Sequence, residues 1–366
     1  MKYKFSVLAV WLIAFNYGCQ HPVQNEIVPV SRYLIADTVC GLFFQDPIIE
    51  VMRNGQLYKI DPTQSQGAVI LKNGHLFIVN PLNAGEMFIY NIQTKQMDEI
   101  QTRHPAYFST DDAIKYADVL SQHLPLSFYH FYIDRYFHFT LEDNKVKLTR
   151  QNLRNTRRRI NKAIQISENK YVTLGFFHAG LLGLCDKELN EMTFYGHYPI
   201  RVKIPSKSSE MEKIVVNFQG NIAWSDQHSK VVYGSTNYAY LSCYQFTGEK
   251  LKFQWEKHII PPPATRIVDG FPVSDNTVAQ GGFSDVAIAG DYVFACYTQR
   301  NVSDLIPEVT HSILVYDMTG NLMATFQIDY PISNMMIDEE EGSVYGIIRG
   351  EGERFPLIVR FQYDEI

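Results

Sequence analysis

The residues that could do chemistry in this chain are carboxylates and histidines with no shared spacing. The sequence contains no GxSxG, HExxH or Walker-type phosphate loop, and RGEGER at 349–354 lacks the third glycine of a dinucleotide-binding loop. The candidates are Asp269, Asp304, Glu308, Glu351, Glu353, His75, His104, His178 and His311. None of them completes a catalytic or metal-ligand pattern. We therefore assign no catalytic residue and expect neither a cofactor nor a metal.

One cysteine has an informative setting near the N-terminus. Two lysines precede an apolar stretch over residues 5–15, which is too short to span a bilayer because a span needs about 20 residues. A small residue and Cys19 follow, and this arrangement resembles the lipobox of bacterial lipoproteins. The sequence predicts a signal peptide over 1–18, then a lipid-modified Cys19 and a tether over 19–30. Plain cleavage with an unmodified thiol is the alternative.

The other four cysteines show no redox or metal-binding spacing. No two of them form a CxxC pair, and each lies in an apolar run typical of a strand: Cys40, Cys185, Cys243 and Cys296. We interpret them as small buried side chains, although an exported protein could form disulfides.

Composition limits the class of protein. Hydrophobic residues make up 46% of the 366, enough for a large core, and the 13% of aromatic residues favours strands over helices. The net charge of −6 gives no indication of a nucleic-acid partner.

A two-strand pattern recurs along the chain. In SILVYDMTGNLMATFQI (312–328), apolar and polar residues alternate on both sides of a turn at Thr319-Gly320. Further copies occur at 87–100, 136–150, 181–195, 240–255 and, in part, 356–366. Equivalent positions are 49, 47, 58, 72 and 45 residues apart, and a further strand pair precedes nearly every copy. The sequence predicts an all-β fold over 31–366, a six-bladed β-propeller of four-stranded antiparallel blades.

The last copy requires a strand from elsewhere. It reaches its third strand at 357–363, which would leave an open sheet edge. We predict that an N-terminal strand closes the ring, either from SRYLIADTVCGLFFQD (31–46) or from PIIEVMRNGQLYKID (47–61). C-terminal truncation should then unfold the whole domain.

Insertions interrupt the repeat at four places. Residues 109–123 have the capping and spacing of a short helix, which we interpret as packing over a blade edge. The arginine-rich stretch 150–162 is interpreted as a solvated edge, with contact to lipid head groups as the alternative. Residues 256–282 and 300–311 are long loops, which in compact domains are often functional.

The repeat sorts the loops onto two ends of the ring. Loops between second and third strands share one end with the blade-to-blade connections. The predicted ligand- or partner-binding residues at that end are Arg135, His178, Tyr238, Arg266, Asp269, Arg300, Arg349 and Arg354. The opposite end collects short polar turns.

The chain resembles the TolB-like six-bladed propeller lipoproteins of bacteria. Cys19, FIYNIQTKQ, SDVAIAGDYVFACYTQRN and LVYDMTGNLM carry the resemblance. It implies a fold and a place in the cell envelope. Because no acidic run follows Cys19, we expect the lipid anchor to lie in the outer membrane, with the domain facing the periplasm. We expect a scaffold that binds a protein or peptide partner at the end with the long loops. The alternative is a propeller-type hydrolase or lyase that acts on a saccharide or small ester at the channel mouth.

Overall fold

A computed structural model describes most of the predicted propeller as strands and turns. The described residues are 30–34, 36–41, 49–53, 56–60, 69–72, 75–79, 86–91, 96–101, 126–130, 135–142, 145–152, 160–186, 192–199, 215–259, 265–268, 271–274, 281–298, 310–332, 335–348, 357–363 and 366. The predicted signal peptide, the tether before residue 30 and the helix at 109–123 lie outside this set.

The described strands are numbered in chain order. The N-terminal strands are β1 (Val30–Leu34), β2 (Ala36–Gly41), β3 (Ile49–Arg53) and β4 (Gln56–Ile60). Blade 1 consists of β5 (Val69–Lys72), β6 (His75–Val79), β7 (Glu86–Asn91) and β8 (Gln96–Gln101). Blade 2 contains β9 (Leu126–His130), β10 (Arg135–Glu142) and β11 (Lys145–Asn152). Blade 3 consists of β12 (Ile160–Ser167), β13 (Lys170–Gly175), β14 (Leu182–Asp186) and β15 (Met192–Tyr195).

The second half of the chain continues the series. Blade 4 consists of β16 (Gly220–Ser225), β17 (Lys230–Ser235), β18 (Tyr240–Phe246) and β19 (Leu251–His258). A separate hairpin follows, with β20 (Thr265–Val268) and β21 (Phe271–Ser274). Blade 5 contains β22 (Phe283–Ala289), β23 (Tyr292–Tyr297), β24 (Thr310–Asp317) and β25 (Leu322–Ile332). Blade 6 contains β26 (Met335–Asp338), β27 (Ser343–Ile348) and β28 (Leu357–Gln362).

These sheets confirm the predicted propeller. Each blade pairs its strands in antiparallel order, and the innermost described strands of successive blades contact one another from blade 2 through blade 6 and back to blade 1. The stretch 312–328 forms β24, a turn and β25 of blade 5, as predicted. Within the described residues blade 2 has three strands, one fewer than the repeat predicts.

The ring is closed by the first of the two predicted N-terminal segments. Strand β2 pairs antiparallel with β28, with Ala36 opposite Phe361 and Gly41 opposite Leu357, and so supplies the outer strand of blade 6. The second segment instead forms the hairpin β3–β4. One sheet therefore joins strands from both ends of the domain.

The strand before β2 makes a contact that the repeat does not predict. Strand β1 pairs in parallel with β25, from Val30 opposite Ala324 to Leu34 opposite Ile328, and extends blade 5 to five strands. Leu34 is buried in the core between blades 5 and 6. The N-terminal arm thus covers the outer edges of two neighbouring blades.

Apolar side chains fill the spaces between neighbouring blades. One described cluster lies between blades 3 and 4, a second between blades 4 and 5, and a third between blades 5 and 6. Cys243 and Cys296 are buried in the second and third of these clusters, and Cys185 is buried among other side chains of blade 3, which confirms their predicted role as small buried side chains. Blades 4 and 5 are covered on both faces by these clusters, so their strands are apolar on both sides in the middle of the blade.

The outer part of the boundary between blades 4 and 5 depends on the turn of the 312–328 hairpin. The Met318 carbonyl accepts hydrogen bonds from Lys230 Nζ at 2.7 Å and Trp255 Nε1 at 3.1 Å, both from blade 4. Gly320 has a φ of 90°, and a Cβ there would lie 2.9 Å from the Trp255 ring. Glycine therefore permits both the turn and the close approach of the tryptophan.

Phe361→Ala tests the closure of the ring. Phe361 is fully buried on β28 in the core between blades 5 and 6, opposite the closing strand. We expect the substitution to lower the free energy of unfolding by about 3–5 kcal/mol, as measured by urea denaturation. The neighbouring exposed Gln362 provides the control, and Gln362→Ala should change the value by no more than about 0.5 kcal/mol. Equal effects of the two substitutions would contradict the closure.

Candidate functional site

The two ends of the propeller differ in their connections. The end that we call the short-turn end carries the described turns at 168–169, 226–229, 290–291 and 339–342. The end that we call the loop-rich end carries the loops 176–181 and 236–239 and the connection between β19 and β22. A strand of six residues separates the ends by about 20 Å.

Four of the predicted binding residues fall within the described chain. His178 is exposed in loop 176–181, and Tyr238 lies in loop 236–239, where it is only 5% exposed. Arg135 is the first residue of β10, opposite His130, and Arg266 lies in β20. The other four binding candidates lie outside the described residues: Asp269, Arg300, Arg349 and Arg354. Cys19 and the further candidate acids also lie outside them: Asp304, Glu308, Glu351 and Glu353. Their role in binding stays a prediction.

The buried Tyr238 ring attaches loop 236–239 to the aromatic core. It stacks on Phe218 with ring centroids 5.1 Å apart, and Phe218 also contacts Tyr198. The Tyr198 hydroxyl donates to the Phe177 carbonyl at 2.5 Å. Burial raises the pKa of this phenol well above its ordinary value, so it stays a neutral hydrogen-bond donor. The aromatic core thus continues up to the loop-rich end.

Polar side chains near the loop-rich mouth of the channel form a feature that the sequence reasoning missed. Equivalent positions on the first strands of blades 3, 4 and 5 are occupied by Lys162, Asn221 and Asp285. Each residue belongs to the second pair in the register between the first and second strands of its blade. All three are partly exposed. We call them the mouth belt.

The mouth belt joins four consecutive blades by hydrogen bonds. Lys162 Nζ donates to Asn221 Oδ1, and Asn221 Nδ2 donates to the Ser284 carbonyl at 2.7 Å. Asp285 Oδ2 then accepts from the backbone N–H of Met335 at 2.8 Å in blade 6. Charged and amide groups in the belt therefore connect one blade to the next.

Hydrogen bonds at the short-turn end connect the same blades. His228 Nε2 lies 3.0 Å from the Gly290 carbonyl and 2.9 Å from Asp291 Oδ1, which places a blade 4 side chain on the turn of blade 5. The backbone N–H of Gly290 in turn donates to the Glu339 carboxylate of blade 6. Blades 4, 5 and 6 are thus joined at both ends of the channel.

The long connection between blades 4 and 5 has a fixed base on the loop-rich end. The backbone N–H of Ile259 donates to the Ala239 carbonyl at 2.9 Å, and that of Gly282 donates to the Thr236 carbonyl at 2.8 Å. Both ends of the connection are thus bound to the same loop, 236–239. Between them lies the hairpin β20–β21, which the sequence reasoning treated as loop. The Asp269-Gly270 pair between two short, largely apolar stretches was the signal that could have predicted it.

The described residues provide no metal site and no membrane-spanning helix. No group of three or more His, Cys, Asp or Glu side chains among them could hold a metal ion. Within the same part of the chain, no helix has the length and apolar character to cross a bilayer.

The sequence and the fold agree on the family. The sequence pattern of the family described as TolB-like 6-blade propeller-like matches residues 126–340, more than half of the chain. The chain belongs to this family of β-propellers. Among curated protein sequences, none matches it.

Solved structures show the same fold at low sequence identity. A candidate exported protein from Bacteroides fragilis is 10% identical, with a TM-score of 0.51 over 92% of this chain and 99% of its own. A member of the DUF4221 family from Bacteroides vulgatus is 11% identical, with a TM-score of 0.50 over 94% of this chain and 100% of its own.

Gly282→Ala tests how the long connection is held. A Cβ at residue 282 would lie 1.9 Å from the Tyr238 carbonyl oxygen and 2.0 Å from that of Ser235, so the loop or the connection must move. We expect a loss of about 3 kcal/mol in the free energy of unfolding. Gly248→Ala is the control for backbone strain without a clash, because that glycine has a φ of 90° and open space around it, whereas Gly282 has no positive φ. Its strain should cost about 1 kcal/mol. A smaller effect at 282 than at 248 would contradict the packing.

Proposed function

We propose that this protein is an exported, lipid-anchored propeller that binds a protein or peptide partner in the cell envelope through its loop-rich end. Lipid on Cys19 would tether the domain to the outer membrane, facing the periplasm. The apolar N-terminal stretch before Cys19 supports export, as does the same fold in a candidate exported protein from Bacteroides fragilis.

The mouth belt is the observation that carries the proposal. In an enzyme, the polar groups at the channel mouth would be directed at a substrate, whereas Lys162, Asn221 and Asp285 hydrogen-bond neighbouring blades. These bonds favour a rigid platform over a reaction centre. A rigid platform with long connections at one end suits partner binding, because little order is lost on association.

Paired carboxylates or a metal at the ring centre would favour the alternative, a hydrolase or lyase. Among the described first strands of the blades, the carboxylates are Asp285 near the loop-rich end and Asp338 at the opposite end of β26. They are too far along their strands from one another to act as a pair. The described residues therefore favour the binding function.

Lipid attachment can be tested by metabolic labelling. Cells that express the full chain and are fed an alkyne-tagged palmitate should incorporate the tag, and Cys19→Ser should abolish incorporation because the thiol is the acylated atom. Gln20→Ala keeps the thiol and should label normally. A Cys19→Ser protein that still carries the tag would refute attachment at this residue.

Partner binding at the loop-rich end can be tested by photocrosslinking in living cells. His178 and Asn169 are both exposed and lie at opposite ends of β13, so they sample the two ends of one blade. p-Benzoylphenylalanine at 178 should give a defined covalent adduct on illumination, and the same probe at 169 should give none. An adduct from 169 alone would place the partner at the short-turn end and contradict the proposal.

A further inference from the structure

The hairpin β20–β21 is a small sheet with no described neighbour. It pairs with no other strand in the part of the chain that the structure describes. Its eight strand residues are TRIV and FPVS, in which Arg266 is the single charged residue. A two-stranded hairpin on its own is marginally stable in water, so a third strand would stabilise it.

The strand register gives both faces of the hairpin apolar positions. Val268 lies opposite Phe271 and Arg266 opposite Val273, and these two pairs share one face. Ile267 opposite Pro272 lies on the other face. Contact with the propeller through one face would leave apolar positions on the second.

The two edges of the hairpin differ because of Pro272. Proline has no N–H, so within a sheet it occupies positions whose nitrogen faces away from the neighbouring strand. In an antiparallel pair whose residues do not hydrogen-bond to each other, the backbone groups of both residues point outward, which directs the N–H and C=O of Ile267 to the outer edge of β20. The edge of β20 therefore keeps its donors, whereas proline interrupts the edge of β21.

We propose that the outer edge of β20 is the docking edge of the loop-rich end and binds an extended segment of a partner protein as a third strand. This inference rests on the proposed function and specifies how its partner binds. The segment would carry apolar side chains for the hairpin face and an acidic side chain to pair with Arg266.

Two features of the structure support strand addition as the mode of binding. The chain already uses it twice, since β1 adds to the outer edge of β25 and β2 adds to β28. The connection that carries the hairpin is also bound to the propeller at both ends, because Ile259 and Gly282 each donate a backbone hydrogen bond to loop 236–239. Such an attachment reduces the conformational freedom that is lost when a strand adds.

Photocrosslinking from the hairpin tests the inference. p-Benzoylphenylalanine replaces Thr265 on β20 in cells that express the full chain, and illumination should give an adduct with an extended, acid-containing segment identified by mass spectrometry. Ile267→Pro removes the outward N–H of β20 and should reduce the adduct about tenfold or more. Ser274→Pro is the matched control on the edge of β21 and should leave the yield within about twofold.

Substitutions of Arg266 provide a second test, because they change the side-chain charge and leave the backbone hydrogen-bonding groups in place. Arg266→Glu should reduce the adduct strongly, and Arg266→Lys should largely retain it. An unchanged yield with Ile267→Pro, an equal loss with Ser274→Pro, or no adduct from residue 265 would overturn the inference. An adduct from residue 178 without one from 265 would overturn the docking edge but leave partner binding at the loop-rich end supported.

Discussion

The pairing of β2 with β28 is the constraint on which the rest of this propeller depends. A propeller blade buries its faces against the two neighbouring blades, so an open ring would expose one face of blade 6 and one of blade 1. By adding a strand from the N-terminus to the last blade, the chain turns six consecutive sheets into one closed unit. The parallel strand β1 strengthens this closure, because Leu34 is buried between blades 5 and 6.

The closed ring makes the polar contacts between blades effective. The mouth belt at one end and the contacts of His228 and Gly290 at the other hold blades 4, 5 and 6 in a fixed relation. Single exposed contacts of this kind contribute little by themselves. In a ring whose blades cannot separate, they hold the loop-rich end in one arrangement. Both ends of the long connection are bound to this end of the ring, at loop 236–239.

The sequence predicts the fold well because its signals are local. Turn residues such as Gly320, together with strand alternation, mark each hairpin, and their regular spacing indicates blades. The need for an N-terminal strand also follows from the incomplete last repeat. What local patterns leave open is the choice between two N-terminal segments and the parallel pairing of β1 with β25, since both depend on contacts about 300 residues apart along the chain. Lys162, Asn221 and Asp285 escaped prediction for the same reason, because their equivalence appears only when the blades are aligned in space.

Native-state hydrogen exchange of β28 tests the closure most directly. If β2 covers this strand, the amides of Leu357–Gln362 should exchange only with global unfolding, at the same slow rate as those of the interior strand Lys230–Ser235. If the ring were open, every second amide of β28 would face solvent and exchange within seconds to minutes, while Lys230–Ser235 stayed protected. Such alternating fast exchange would contradict the closed ring.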